Sequence, residues 1–179
     1  VNSNPKDQDA PTNLNNACVI YERLFQYGEA TRCYERLARD YPDSSMMQDA
    51  VWNAARNHRR FFEFEDALKG YLRVAEDPKF ANFEHRKDAL GIAAQMVDND
   101  QQYAKAALLY KRFADIADKP GDSAQAFSFS CAAYEKAKDT TKHNQCLRDL
   151  IKRYNAQPEA GEYVVNAYLK RASIAEQGK

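Results

Sequence analysis

The sequence contains few of the residues that interrupt regular secondary structure, with only 6 glycines and 6 prolines among 179 residues. An all-β fold of this length needs many turns, and turns depend strongly on these two residue types. Hydrophobic residues still make up 44% of the chain, which is enough to form a core. The shortage of turn residues therefore argues against an all-β fold and favours helices.

The sequence also lacks an excess of charge of either sign. It has 26 Lys and Arg residues against 26 Asp and Glu residues, whereas a general nucleic-acid binder presents a broad basic surface. We therefore expect no nucleic-acid partner.

Long apolar runs are absent as well. No segment approaches the roughly 20 apolar residues that a membrane-spanning helix requires, and residues 1–12 are polar, unlike a signal peptide. We expect no direct insertion into a membrane. The chain begins at Val1 without a methionine and ends abruptly at Lys179, so we interpret it as a piece of a longer protein.

Motifs that carry chemistry are missing too. The sequence has no glycine-rich phosphate loop, no metal-ligand spacing and no nucleophile motif. The histidines His58, His85 and His143 lie far apart in the sequence, and a role in packing is the simplest interpretation for His58 and His143. We therefore expect no enzyme activity, no cofactor and no metal.

What the sequence does contain is a helical pattern. Residues 1–12 have almost no apolar side chain and are expected to form a flexible arm. From Asn13 onward, apolar residues recur at spacings of three and four in segments separated by short breaks. These segments predict about nine helices, and two alternating kinds of break indicate that the helices pair into hairpins that stack.

The segments are also similar to one another. Aligning Ala30, Ala67, Ala106 and His143 gives intervals of 37, 39 and 37 residues. Four residues further on, each segment has a large side chain, and seven residues further on it has an apolar one. Twelve residues before the anchors, the residues are all small, as expected where two helices approach closely: Cys18, Ala55, Ala94 and Cys131.

The aligned segments resemble the tetratricopeptide-repeat (TPR) family, in which small residues, an aromatic residue and a proline recur at set positions. Ala30, Tyr34, Leu37 and Pro42 match that pattern. The resemblance departs in detail, because the period is longer and His143 replaces an alanine. It implies an all-α superhelix, or solenoid, of about four TPR-like hairpins plus a C-terminal helix. The units are 13–43, 44–79, 80–119 and 120–156, followed by a helix at 158–177.

The residues at 37–44 look like the repeat junctions of bacterial cell-envelope members of this family. Those members include the outer-membrane assembly lipoproteins and the periplasmic division-coordinating proteins. This likeness implies a location in the periplasm or cell envelope. The alternative is a generic helical repeat, which would be compatible with the cytoplasm.

The four cysteines occupy equivalent positions in the first and fourth units, with a spacing of fifteen in both pairs. In a helical hairpin, residues with this spacing lie at nearly the same height on facing helices. We therefore expect two disulfides, Cys18–Cys33 and Cys131–Cys146, although small buried fillers are the alternative. Disulfides would indicate an oxidising compartment.

In the TPR family the first helix of each pair lines a concave groove that holds a partner protein. Placed on this sequence, the groove positions of the second and third units are Asp49, Trp52, Arg56, Arg59, Arg60, Asp88, Gln95, Asp98 and Asn99. The fourth unit adds Gln125, Ser128, Glu135 and Lys136. Tryptophan and arginine are typical of interface hot spots, and the alternative is that Trp52 belongs to the core and the arginines are solvated.

The resemblance therefore predicts a protein-interaction scaffold that binds a partner segment. The alternative is a structural or oligomerising module, which could self-associate through the apolar C-terminal helix. We interpret that helix first as a cap on the fourth pair.

Thiol counting under denaturing conditions tests the cysteine assignment. Protein produced in an oxidising host should have no free thiol, and each disulfide should contribute about 3 kcal/mol to stability in the chain-entropy description. Four free thiols would contradict both disulfides, and with them the assignment to the envelope.

Overall fold

The computed structural model describes residues 9–177, and this range consists of nine α-helices and two short 3₁₀ turns with no β-strand. The 3₁₀ turns, Pro78–Phe80 and Pro158–Ala160, precede α5 and α9. The helices are α1 (Ala10–Arg23), α2 (Tyr27–Asp40), α3 (Met47–Arg60), α4 (Phe64–Glu76), α5 (Arg86–Asn99), α6 (Tyr103–Ile116), α7 (Pro120–Lys136), α8 (Thr140–Tyr154) and α9 (Gly161–Gln177).

The first helix begins earlier than the sequence suggested. It starts at Ala10 instead of Asn13, because Pro11 lies in its first turn, where the missing N–H of proline costs no helical hydrogen bond. Residues 10–12 of the expected arm are therefore helical. Residues 1–8 of that arm lie outside the described residues.

The chain divides into two compact units, residues 1–89 and residues 90–179, which we describe separately. The first contains α1 to α4, and the second contains α6 to α9. The positions that repeat in the sequence form the cores of both units. In the first unit the fully buried side chains include Tyr34, Leu37, Tyr71 and Val74. In the second they include Leu150 and Tyr154, with Leu147 nearly as buried.

Four turns of the same design join the two helices of a pair. Each contains one residue in the left-handed region, with φ between 58° and 62°: Phe25, Phe62, Gln101 and Lys138. In each turn the N–H of the following residue donates to a carbonyl five residues earlier, at 2.9–3.1 Å. This hydrogen bond is the one that closes a Schellman motif at the end of a helix. The expected hairpins therefore end in one recurrent turn.

The expected cysteine pairs lie at disulfide distance. Cys18 on α1 faces Cys33 on α2, and Cys131 on α7 faces Cys146 on α8, with Cα atoms 5.3 Å apart in both pairs. This separation is within the range that a disulfide requires. Each pair links the two helices of one hairpin.

Two histidines pack between helices, as expected. The ring of His143 is buried, and its Nδ1 lies 2.8 Å from the carbonyl oxygen of Cys131. His58 lies 2.6 Å from Glu63 through Nδ1 and 2.9 Å from Glu35 through Nε2. His58 thereby connects α3 with α2 and with the start of α4.

The last helix rests on its neighbours through one face only. Val164 and Ala167 are buried beside the α7–α8 hairpin, whereas Val165, Tyr168 and Leu169 are exposed.

No helix in residues 9–177 combines the length and the apolar character needed to cross a bilayer.

We expect Gly70→Ala to destabilise the first unit. A Cβ at this position would lie 2.7 Å from the Cβ of Ala55, so α3 and α4 would have to move apart. Because the clashing atom is a Cβ fixed to the backbone of α3, the resulting strain should cost up to about 3 kcal/mol, more than the gain of about 1 kcal/mol from the better helix propensity of alanine. Urea unfolding followed by far-ultraviolet circular dichroism measures the difference.

Gly28→Ala is the matched control, because no atom lies within 4 Å of a Cβ built at that helical position. It should leave stability unchanged or raise it by up to about 1 kcal/mol. Equal stability of the two variants would contradict the close approach of α3 to α4.

The contribution of His58 to stability should depend on pH. Burial lowers the pKa of His58, but hydrogen bonds to Glu63 and Glu35 outweigh this effect, so the pKa is raised above its usual value. The stabilisation is therefore complete below the unfolded-state pKa and is lost as the pH rises through the folded-state pKa. In urea unfolding between about pH 5.5 and about pH 8, the wild type should exceed His58→Gln in stability more at the acidic end. A difference independent of pH would contradict this role.

Candidate partner-binding face

One face of α3 presents most of the groove residues predicted in the second repeat, which lies in the first compact unit. Arg56 lies seven residues after Asp49, and Arg59 and Arg60 lie three and four residues after Arg56, so the four residues share one side of the helix. Asp49, Arg59 and Arg60 are exposed, and Arg56 is half-buried. We call these four residues the α3 face.

Trp52 does not belong to the exposed part of this face. Only 8% of the residue is accessible, because its ring stacks on His85 with centroids 4.6 Å apart and an interplanar angle of 12°. The edge of Tyr71 covers it further, with centroids 5.5 Å apart. The interpretation of Trp52 as an exposed anchor is therefore corrected, and the alternative that it belongs to the core is the one that the structure supports.

The arginines of the α3 face have polar partners but no acidic ones. Arg56 donates to the side-chain oxygen of Asn53 at 3.1 Å, and Arg60 donates to that of Asn57 at 3.2 Å. Within residues 9–177, no ion pair joins a carboxylate to Arg56, Arg59 or Arg60. Their guanidinium groups are therefore available to an external anion.

Asn57 is a supporting residue that the sequence did not reveal. It is fully buried, and its side-chain oxygen orients Arg60. Its Nδ2 atom has no hydrogen-bond partner in the described part of the chain. A single asparagine in a helix carries no sequence signal for this role, so only the three-dimensional packing identifies it.

Two tyrosine hydroxyls lie beside the α3 face. Burial raises the pKa of Tyr34, and the carboxylate of Glu22, 3.3 Å from its hydroxyl, raises it further. Burial also raises the pKa of Tyr71, opposed by a hydrogen bond with Arg59. Both phenols are therefore neutral at physiological pH and keep their protons. The repeat pattern placed these rings in the core but gave no indication of where their hydroxyls lie.

A concave groove of about 710 Å³ lies on another side of α3, between α2 and α4. Small side chains, including Ala54, Ala55 and Gly70, form part of its lining, and charged residues of both signs surround them. The repeat pattern does not reveal this groove, because it identifies the small residues only as points of close helix contact. Its charges are mixed, so it favours no particular ligand.

The predicted groove residues of α5 are placed differently from one another. Asp88 is exposed at the start of α5, within the first unit, and lies 3.6 Å from Nδ1 of His85. Gln95 is exposed in the second unit.

Asp98 is held in place and is not a free acidic group. Its two carboxylate oxygens lie 2.9 and 2.8 Å from Nζ of Lys136. Burial raises the pKa of Tyr110 to about 12, and the charge and hydrogen bond of Asp98 add to this effect. Asp98 and Lys136, which were both predicted to line the groove, are therefore paired with each other.

The groove residues predicted in the fourth repeat also have partners, and these partners lie in the second compact unit. Glu135 pairs with Lys170 at 2.7 Å, and Ser128 donates to the carbonyl oxygen of Gln125 at 2.7 Å. Among the predicted groove residues in the described part of the chain, a cluster of charges without an ion-pair partner is therefore found on the α3 face. No group of three or more His, Cys, Asp or Glu side chains in residues 9–177 is placed to hold a metal ion.

No protein-family model and no curated protein matches the sequence. Solved structures do match it in three dimensions. One is described as a MamA RS-1 ArsTM double mutant, with a TM-score of 0.55 and 17% identity over 92% of this chain and 97% of that chain. Another is a putative kinesin light chain from Podosopora anserina with nearly identical TPR-like repeats. It has a TM-score of 0.53 and 12% identity over 96% of this chain and 91% of that chain. These similarities confirm the expected fold class, an all-α superhelix of TPR-like helix pairs.

Proposed function

We propose that this chain is a protein-interaction scaffold whose α3 face captures an acidic segment of a partner protein. The observation that carries the proposal is the set of three arginines on one helix face with no carboxylate partner among the described residues. Arginine binds carboxylates through charge-assisted and often bidentate hydrogen bonds.

The arginines do more than complement the helix dipole of α3. Cations in the last turn of a helix interact favourably with its C-terminal end, which gives Arg59 and Arg60 a structural reason for their positions. Arg56 lies a full turn earlier and is half-buried. Its placement, directed by Asn53, is better explained by a ligand than by the helix end.

The charges of the α3 face are distributed asymmetrically along the helix. Asp49 lies in the first turn of α3, whereas the arginines lie in its second half. At 1.5 Å per residue, Asp49 and Arg60 are separated along the helix axis by roughly 16 Å. A partner segment with acidic residues at one end would be favoured in one orientation.

Tyr34 and Tyr71 support the face from within. Both residues are fully buried, so their hydroxyl groups do not contact a partner, and that of Tyr71 is hydrogen-bonded with Arg59. Recognition of an acidic segment therefore depends on the charges of the arginines.

We further propose that the scaffold belongs to a bacterial cell-envelope protein. Two cysteine pairs at disulfide distance favour an oxidising compartment such as the periplasm. The resemblance of residues 37–44 to envelope repeat junctions points the same way.

The second candidate is an oligomerising repeat module, which the exposed side of α9 favours. Val165, Tyr168 and Leu169 form an apolar strip on that helix. Self-association that depends on concentration and is abolished by Leu169→Gln would support this candidate. A monomer that binds acidic peptides would support the scaffold.

The peptide-binding proposal predicts a loss of affinity in Arg56→Ala/Arg59→Ala. Removing two charged donors should weaken binding of a fluorescent peptide of consecutive glutamates by at least about tenfold, and added salt should weaken the wild type in the same direction. Fluorescence anisotropy measures the affinity, and circular dichroism should show unchanged helicity.

The matched control removes two positive charges from exposed positions in the second unit, as in Arg148→Ala/Arg171→Ala. It should keep nearly the wild-type affinity. Equal affinity of the wild type and the Arg56→Ala/Arg59→Ala variant would rule out the α3 face, and equal losses in both double variants would indicate nonspecific charge attraction.

A further inference from the structure

Large apolar side chains crowd the two hairpin turns of the first unit. The most exposed are Phe25 and Phe62, with 77% and 78% of their surface accessible. We call the whole group the aromatic ridge, which consists of Leu24, Phe25, Tyr27, Phe61, Phe62 and Phe64. Apart from Tyr27, every member is exposed.

The rings of the ridge contact one another and join the two turns. Tyr27 packs edge to face against Phe25, with centroids 6.2 Å apart, and against Phe61, with centroids 6.0 Å apart. Phe62 and Phe64 make a similar pair at 5.8 Å. The ridge is therefore a preformed surface.

The turn itself does not require aromatic residues. The same turn in the second unit has Gln101 and Lys138 at the equivalent positions, with nearly the same φ. A bulky side chain in the left-handed region is unfavourable compared with glycine or asparagine. Phe25 and Phe62 are thus both conformationally costly and largely unpacked, which indicates a role outside the fold.

The backbone of these turns is already satisfied. The N–H groups of Phe25 and Gln26 donate to Glu22 and Tyr21, and those of Phe62 and Glu63 donate to Arg59 and His58. A turn whose amides are bonded internally can enter a medium of low polarity without leaving donors unpaired. This property suits a lipid environment, which offers no hydrogen-bond acceptors beneath its headgroups.

The charges around the ridge fit a headgroup layer. Glu29 pairs with Arg32, and Glu63 is bonded to His58. The guanidinium of Arg60 lies over the ring of Tyr27, 5.1 Å from its centroid. Such a cation can meet phosphates while the aromatic rings lie deeper.

Two exposed acids, Glu65 and Asp66, offset part of this positive charge. Insertion would therefore depend mainly on the rings and only weakly on anionic lipid.

Other occupants fit the ridge less well. Its exposed surface amounts to roughly 600 Å², taking about 200 Å² for each aromatic side chain, which is at the lower limit of what a stable protein interface buries on each partner. A second copy of the chain would thus form only a marginal interface. Residues 1–8 are almost entirely polar, so they offer no apolar segment that could cover the rings.

We propose that the aromatic ridge inserts Phe25 and Phe62 into the interfacial layer of a lipid bilayer and so holds the scaffold at a membrane surface. The contact is shallow and reversible, because it involves turn side chains and not a spanning helix, and it goes beyond the sequence-based expectation of no direct insertion into a membrane. Phe25 and Phe62 take no part in peptide capture, and Arg60 is shared by the surroundings of the ridge and the α3 face.

The test is cosedimentation of the 179-residue chain with phosphatidylcholine vesicles. Phe25→Gln/Phe62→Lys copies the residues found in the turns of the second unit and should therefore fold. We expect this double variant to lose at least about tenfold in partitioning to vesicles. The control Leu108→Gln/Phe129→Gln, which removes two exposed apolar side chains of the second unit, should partition like the wild type.

A tryptophan placed in the ridge reports insertion directly. Phe62→Trp should show a blue shift of its emission on adding vesicles, and quenching by brominated lipid, while the buried Trp52 contributes a constant background.

Three results would overturn the proposal: no vesicle binding by the wild type, equal binding by the ridge variant, or self-association in solution that the ridge variant abolishes. The last result would assign the ridge to a second copy of the chain. Arg56→Ala/Arg59→Ala should still bind vesicles, and the ridge variant should still bind the acidic peptide, so failure of one proposal is distinguishable from failure of the other.

Discussion

The close approach of the two helices in each pair is the constraint on which the rest of the structure depends. Between α3 and α4 the space is so limited that a single methyl group on Gly70 would overlap Ala55. The first and fourth pairs have cysteines at the contact, with Cα atoms 5.3 Å apart. A small residue is required at these positions, and cysteine meets that requirement while also offering a covalent link.

This constraint leaves the outer faces of the helices free to vary. The buried anchors and the backbone of the turns recur from pair to pair, whereas the side chains of the turns and of the exposed faces differ. The first unit has aromatic turns and an α3 face whose arginines have no carboxylate partner among residues 9–177, and the second has polar turns and a paired Asp98 and Lys136. The differences between units that share one scaffold therefore point to function, and both proposals concern the first unit.

The sequence predicted the features that a repeating contact dictates. Ala30, Tyr34 and Leu37 are buried as the register required, and His143 fits the buried position that alanine usually occupies because its Nδ1 reaches the carbonyl of Cys131. The cysteine pairing followed from the same register, since equal height on facing helices is a property of the hairpin.

The sequence was less informative about side chains whose exposure and bonding partners depend on neighbours that only the fold brings together. Trp52 shares a helical face with Arg56, but the turn after α4 brings His85 over its ring, and spacing along α3 cannot show this. Asp98 lies at a predicted groove position, but α7 places Lys136 against its carboxylate, and the sequence pattern does not show this pairing. The aromatic turn residues gave no periodic signal, because turns lie outside the helical pattern.

The central claim is that the α3 face is the surface that receives an acidic partner segment. Nuclear magnetic resonance with ¹⁵N-labelled arginine tests it most directly, by following the side-chain Nε–H signals while an acidic peptide is added. The account predicts that the largest shifts occur at Arg56, Arg59 and Arg60. Larger shifts at Arg39 and Arg73, which line the groove between α2 and α4, or at arginines of the second unit, would contradict it.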